Sequence, residues 1–99
     1  MKTRITVLTK MPNEKPVIRE IDNELHALQR FVRGYIQAVP THDGVVVICN
    51  EEGRINGMPY NCTFEGIDYY GPILVCGVDG EDFTDCPKEF LESIRRHSA

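Results

Sequence analysis

Alternating apolar and polar positions open the chain and predict a β-hairpin. Segment 5–8 alternates weakly, and segment 17–21 places Val17, Arg19 and Ile21 on one face, which is the period of a strand. Between them, Met11–Glu14 contains Pro and Asn, two residue types favoured in turns. We therefore expect the two segments to pair as antiparallel neighbours.

The pattern then changes to a helical period. Apolar residues recur at spacings of three and four and form one stripe, made of Leu25, Leu28, Phe31 and Val32. Asp22 or Asn23 is placed to accept the first free backbone N–H groups as an N-cap. Gly34 stands where a left-handed residue ends a helix, directly after a basic last turn.

The second half of the chain returns to strands. Segments 35–39 and 45–49 are predicted as a pair of strands, and the Asp43-Gly44 dipeptide between them is a hairpin signal. The run Val45–Ile48 is continuously apolar, which is typical of a central strand. A further apolar run, 72–76, is predicted as the last strand.

A short helix is predicted at the C-terminal end, beginning at Asp85 or Cys86 with Pro87 in its first turn. Its inward-facing residues are Phe90, Leu91 and Ile94. Its last turn is basic and contains Arg95, Arg96 and His97, a sign of charge that the helix dipole favours.

These elements predict an α+β fold. We expect a mostly antiparallel sheet of about five strands with two helices packed against it on one face. The chain has 99 residues and no internal repeat or linker, so we expect a single α+β domain spanning 1–99.

Composition narrows the function classes. The chain is 41% hydrophobic and 26% charged, with a net charge of -4. A protein that coats nucleic acid needs a basic surface, so a nucleic-acid partner is not expected. The longest apolar run, Val45–Cys49, is far too short to span a membrane. The N-terminal stretch alternates and lacks the apolar core of a signal peptide, so we expect a cytoplasmic location.

The cysteines and histidines do not form a chemical motif. Cys49, Cys62, Cys76 and Cys86 are widely spaced, without a C-x-x-C pair. We therefore expect free, buried thiols, no metal and no cofactor. His26 lies off the apolar stripe and is expected at the surface. No histidine forms a nucleophile motif with a cysteine, so no catalytic residue is predicted.

The most informative stretch is the connection 50–71, which shows little periodicity. Connections of about twenty residues are uncommon in compact domains and are often functional. It begins Asn50-Glu51-Glu52-Gly53-Arg54-Ile55-Asn56-Gly57-Met58-Pro59-Tyr60-Asn61. The calcium-loop spacing fails, because the sixth residue from Asn50 is Ile55 and not Gly.

This stretch resembles the N-E-E-G-x-x-x-G-x-P-x-N signature of an uncharacterised family, a domain of unknown function associated with bacteriophages, plasmids and other mobile elements. The resemblance covers roughly residues 15–95 and includes segments 20–23, 34–36, 77–79 and 82–84. Cys62 stands where the family usually has Arg. The resemblance implies a mobile-element context and no catalytic residues.

Residue types in the connection support two interpretations. In the first, Gly53 and Gly57 supply positive φ, and Asn50 and Asn61 bond backbone groups of the loop. In the second, the connection binds a ligand through carboxylates, amides, a guanidinium and a stacking ring. The candidate ligand-binding residues are Asn50, Glu51, Glu52, Arg54, Asn56, Tyr60 and Asn61.

We therefore expect a non-enzymatic accessory binding protein of a phage or mobile element, in the cytoplasm of a bacterial host. Its partner would be a small polar or nucleotide-like ligand, such as an immune signal, or a host defence protein. One alternative is an interaction subunit of a larger complex. Another is a small hydrolase using Glu51, Glu52, His42 or Cys62. Open sheet edges make a homodimer or higher homo-oligomer plausible.

Overall fold

The computed structural model describes residues 3–41 and 44–98, with residues 95–98 described by their backbone alone. Eight strands and two helices follow in the order β1 (Arg4–Lys10), β2 (Val17–Asp22), α1 (Leu25–Val32), β3 (Ile36–Pro40), β4 (Val45–Asn50), β5 (Tyr60–Phe64), β6 (Ile67–Tyr70), β7 (Ile73–Asp79), β8 (Asp82–Thr84) and α2 (Lys88–Ser98). His42 and Asp43, and the side chains of Arg95, Arg96 and His97, lie outside the described residues.

The main sheet has the strand order β2-β1-β7-β4-β3, and β8 pairs with β7. Strands β5 and β6 form a separate two-stranded sheet. Every pairing is antiparallel. The predicted α+β class with a mostly antiparallel sheet is confirmed, and so are the two predicted hairpins, β1–β2 and β3–β4.

The two helices lie on opposite faces of the main sheet, so the prediction of one shared face is wrong. Val46 of β4 belongs to a core cluster with Leu28 of α1, whereas the next residue, Val47, belongs to a cluster against which Phe90 of α2 packs. All six residues of β4 are buried. The continuous apolar run therefore reflects a strand covered on both faces, because alternate side chains point to opposite sides.

The predictions for both ends of α1 are wrong, because contacts with other parts of the fold determine where the helix begins and ends. The N-cap residue is Glu24, which makes no side-chain capping bond. Asn23 instead donates its side-chain amide to Phe83 O (3.0 Å) in β8. At the other end, the left-handed residue is Arg33 (φ 66°), not Gly34. Leu25, assigned to the buried stripe, is largely exposed.

Helix α2 begins later than predicted, because the residues before it are held by β1. Asp85 accepts a hydrogen bond from Thr6 N (2.9 Å), and Cys86 N donates to Thr6 O (2.8 Å). These bonds keep the chain extended as far as Pro87. The carbonyl of Pro87 accepts a hydrogen bond from Leu91 N (3.2 Å). Phe90, Leu91 and Ile94 pack against the sheet as predicted.

The connection 50–71 is not a long loop. It contains a tight turn and then the β5–β6 hairpin, which packs on the same face as α2 through Tyr69. Glu65 (φ 50°) and Gly66 (φ 79°) form the two-residue hairpin turn, and both central residues have the positive φ that such a turn requires. The sequence analysis also missed β8, which follows β7.

Candidate functional site

A cleft of about 240 Å³ lies between strand β3, the turn after β4, and strand β6. Its floor is apolar and includes Val39, Cys49 and the buried ring of Tyr69. Its polar side chains come from different elements, because β3, the turn and β6 converge there. The lining residues are Gln37, Val39, Cys49, Asn50, Glu51, Gly53, Arg54, Ile67, Asp68, Tyr69 and Tyr70.

Asn50 fixes the turn at one end of the cleft. Its side-chain amide donates to Val32 O (3.0 Å) and Arg33 O (3.1 Å), which are carbonyls at the end of α1. Its side-chain oxygen accepts Glu52 N (2.8 Å). These bonds satisfy helix-end carbonyls that have no partner within the helix. The side chain of Asn50, at 7% exposure, is therefore committed to the fold.

Glu51 is held by the main sheet. Its backbone N–H donates to Tyr35 O (2.9 Å), which continues the β3–β4 pairing by one residue. Glu51 is exposed and lines the cleft. The hydrogen bond ties the backbone of Glu51 to the start of β3, so the sheet fixes where Glu51 stands at the cleft.

Gly53 lets the turn pack against β6. A Cβ at this position would lie 2.8 Å from Tyr70 O, closer than side-chain atoms approach a backbone oxygen. The expected positive φ is found at Gly57 (φ 73°) but not at Gly53. Gly53 is therefore required for close approach, and this approach places the exposed Arg54 at the cleft.

The phenol of Tyr69 is a neutral group in the wall of the cleft. Burial raises its pKa, with further contributions from Cys49, Cys62 and Glu65. The hydroxyl therefore stays protonated at neutral pH and has a hydrogen to donate.

The structure brings three of the seven predicted site residues into the cleft: Asn50, Glu51 and Arg54. Glu52 and Asn56 are exposed on the same turn and do not line the cleft. Glu51 and Glu52 therefore have different surroundings.

Tyr60 lies on the β5–β6 hairpin, away from the cleft lining. Its hydroxyl shares a hydrogen bond of 2.5 Å with that of Thr63, which also donates to the carboxylate of Asp68 (2.6 Å). Its ring meets Tyr70 edge to face at 5.8 Å. The aromatic ring expected to stack on a ligand is thus used within the hairpin.

Asn61 is a buried bridge between strands. Its amide donates to Lys10 O (2.7 Å) and Gly71 O (2.7 Å), and the residue is 8% exposed. Its side-chain oxygen is buried and has no hydrogen-bond partner among the described residues. Asn50 and Asn61 thus both bond backbone groups, but three of their five partners, Val32 O, Arg33 O and Lys10 O, lie outside the connection 50–71.

Four cleft residues with an amide, carboxylate or phenol side chain were not predicted: Gln37, Asp68, Tyr69 and Tyr70. Three of them belong to β6, which the sequence analysis treated as loop. The Glu65-Gly66 dipeptide between two short segments rich in aromatic and β-branched residues was the available signal.

All four cysteines are free thiols. Burial raises the pKa of Cys76 to about 12 and that of Cys86 to about 11. Burial also raises the pKa of Cys49 and of Cys62, although Lys10 opposes this at Cys62. The thiolate, which is the nucleophile, is therefore disfavoured at each position.

Within the described part of the chain, no group of three or more His, Cys, Asp or Glu residues could hold a metal ion. Neither described helix is long and apolar enough to cross a membrane.

A family model described as a domain of unknown function (DUF3846) matches residues 5–99. None of the curated proteins and none of the solved structures compared with the chain matches it.

Proposed function

We propose that this chain, which belongs to the DUF3846 family of domains of unknown function, is a non-enzymatic binding protein that captures a small polar, nucleotide-like ligand. One observation carries the proposal: the cleft combines the Glu51 carboxylate and the Arg54 guanidinium with an apolar floor. A few polar groups around an apolar surface are typical of small-molecule sites.

Each side chain has a distinct part in this proposal. Arg54 binds phosphate through its planar set of N–H donors. Glu51 accepts hydrogen bonds from amino or hydroxyl groups of the ligand. Tyr70 contacts the base of the ligand, because Tyr70 lines the cleft. Tyr60, which was predicted to make this contact, does not line it.

The size of the cleft limits the ligand. Its volume of about 240 Å³ is below the range of roughly 300–1,000 Å³ for drug-sized ligands. One cleft therefore accommodates a single ring-bearing group with its sugar or phosphate.

The biological setting is part of the proposal. The Asn50–Asn61 signature resembles proteins of phages and mobile elements, so we place the chain as an accessory protein acting in the bacterial cytoplasm. Sequestering a nucleotide immune signal fits the cleft. The alternative is that the chain binds a host defence protein and that the turn after β4 is the contact surface.

Binding is favoured over catalysis by the state of the reactive groups. The raised pKa values keep the thiols protonated. Glu51 and Glu52 do not both face the cleft, since only Glu51 lines it. A hydrolase would convert its ligand, whereas the proposed protein returns it unchanged.

Isothermal titration with AMP and GMP as probes tests the proposal. We expect at least one probe to bind and to be recovered intact. Arg54→Ala should weaken binding more than tenfold, since a lost charge-assisted contact has roughly that effect. Arg19→Ala is the matched control, because Arg19 is exposed on β2, away from the cleft lining. Binding that Arg54→Ala leaves unchanged, or hydrolysis of the probe, contradicts the proposal.

A further inference from the structure

Strand β3 forms one outer edge of the main sheet, and its hydrogen-bond pattern shows which groups face outward. Glu51 N donates to Tyr35 O (2.9 Å), and Thr41 N donates to Val45 O (3.0 Å). In an antiparallel pair, bonded positions alternate. Residues 35, 37, 39 and 41 therefore bond to β4, while Ile36, Ala38 and Pro40 direct their backbone groups away from it.

The two outer edges of the sheet differ in charge. On β2, Glu20 and Asp22 lie beside Arg4, at 3.6 and 2.8 Å. Charged side chains protect an edge strand from pairing with another chain. Strand β3 reads Ile-Gln-Ala-Val-Pro and has no charged residue. Among the described residues, β3 pairs with β4 alone, so its outer edge has neither cover nor charge protection.

We propose that β3 pairs with β3 of a second copy of this chain, antiparallel across a two-fold axis, with Ala38 facing the partner's Ala38. Self-pairing of one edge gives a closed, symmetric dimer. Ala38 is exposed and small, so the two backbones can approach each other.

The outward groups fix this register. The two Ala38 residues exchange two N–H···O bonds. Ile36 N then donates to the partner's Pro40 O, and the two-fold axis repeats this bond. The pairing therefore has four hydrogen bonds in all. Pro40 has no N–H to donate. A register centred on Ala38 uses every outward N–H group of β3.

Side chains on the cleft face support the same register. Opposed residues in an antiparallel pair share a face, so Tyr35 meets the partner's Thr41 and Gln37 meets the partner's Val39. Tyr35 is 72% exposed in one chain, and tyrosine is enriched at interfaces. Gln37 and Val39 line the cleft, so the second copy extends the cleft wall. Only this last consequence rests on the proposed function.

Sedimentation velocity over micromolar to millimolar protein tests the pairing. We expect a dimer for the parent chain and a monomer for Ala38→Pro, which removes the central N–H donors without touching a bond to β4. The matched control is Glu20→Pro in β2. Asn23 N donates to Thr3 O, so the N–H of Glu20 also faces outward, and this variant should stay dimeric. A parent chain that is monomeric throughout overturns the proposal, as does a dimer that Ala38→Pro leaves intact.

A disulfide test remains decisive if Ala38→Pro does not fold. Facing residues of a bonded antiparallel pair have Cα atoms about 5.5 Å apart, within disulfide range. Ala38→Cys should therefore give a covalent dimer under mild oxidation. Pro40→Cys lies on the same edge and face, but its two copies would be more than about 10 Å apart. Equal crosslinking of both variants, or of neither, contradicts the register. Because probe binding is not measured here, this result is independent of the proposed function.

Discussion

The side-chain nitrogen of Asn50 lies 2.6 Å from the position that a Cβ atom on Gly34 would occupy. Gly34 has no positive φ, so its role is to leave room for the amide. The end of α1, the start of β3 and the turn beside the cleft meet at this contact. The position of the turn beside the cleft therefore depends on the same side chain that bonds the end of α1.

We predict that Gly34→Ala lowers the free energy of unfolding by about 1–3 kcal/mol, because the methyl group displaces the amide from Val32 O and Arg33 O. The measurement is urea denaturation. In an Asn50→Ala background the same substitution should cost much less, since the amide is already gone. Additive effects would show that the contact between Gly34 and Asn50 is not the cause.

Asn61→Ala should destabilise the fold by about 2–3 kcal/mol, because it leaves two carbonyls, Lys10 O and Gly71 O, without their donor. The control is Glu52→Ala on the exposed turn, which should change stability by less than about 0.5 kcal/mol. The sequence analysis placed both residues in the ligand site. Equal thermal stability of the two variants would argue against the structural role of Asn61.

Gly53 and Gly57 should differ in their response to alanine. At Gly53 the methyl group meets Tyr70 O and forces the turn away from β6, so both stability and probe binding should fall. At Gly57 the surrounding space is open and only the positive φ opposes alanine, at about 1–2 kcal/mol. The Gly57→Ala variant should still bind the probe at temperatures where it is folded. Titration of the folded variants distinguishes the two effects, and unchanged binding by Gly53→Ala contradicts the packing argument.

Stability should fall at alkaline pH through two buried thiols. The pKa values of Cys86 (about 11) and Cys76 (about 12) lie above the ordinary value of 9.0. The native state keeps protons that the unfolded chain releases, so the stabilisation is complete below pH 9.0 and is lost as pH rises towards these values. Each thiol should account for about 1.4 kcal/mol between pH 8 and pH 10.

Urea denaturation at the two pH values checks this. The Cys76→Ala/Cys86→Ala variant should be less stable at pH 8 and should lose more of the pH dependence than Cys62→Ala, because Lys10 opposes the raised pKa at Cys62. A pH dependence that survives in the double variant would assign the effect to other groups.

Much of the fold was predictable from periodicity alone. The alternation in β1 and β2, the stripe in α1 and the apolar run of β4 identify elements that local pattern determines. The face of the sheet on which α2 packs was not predictable. The apolar run of β4 shows that both faces of this strand are covered, but it is the same whether a helix or a hairpin covers the second face. The ends of α1 depend on distant partners, the carbonyl of Phe83 and the amide of Asn50, which no local rule specifies.

The candidate site was predictable in composition but not in arrangement. The turn after β4 was singled out in the sequence, and two of its residues, Glu51 and Arg54, line the cleft. The wall formed by β6 was missed because its strand is only four residues long. Adjacent polar residues cannot be sorted by sequence into those that face a cleft and those that do not, as Glu51 and Glu52 show.

The proposal that the Glu51–Arg54 cleft retains a small molecule in the cell can be tested on the purified protein. Its most direct test is mass spectrometry of small molecules released by heat from protein purified from bacterial cytosol, comparing the parent with Glu51→Gln, Arg54→Ala and the neighbouring Glu52→Gln. We predict one nucleotide-like species, released unchanged by the parent and Glu52→Gln and strongly depleted in the other two variants. An empty parent protein, or equal release from all four, would contradict the account.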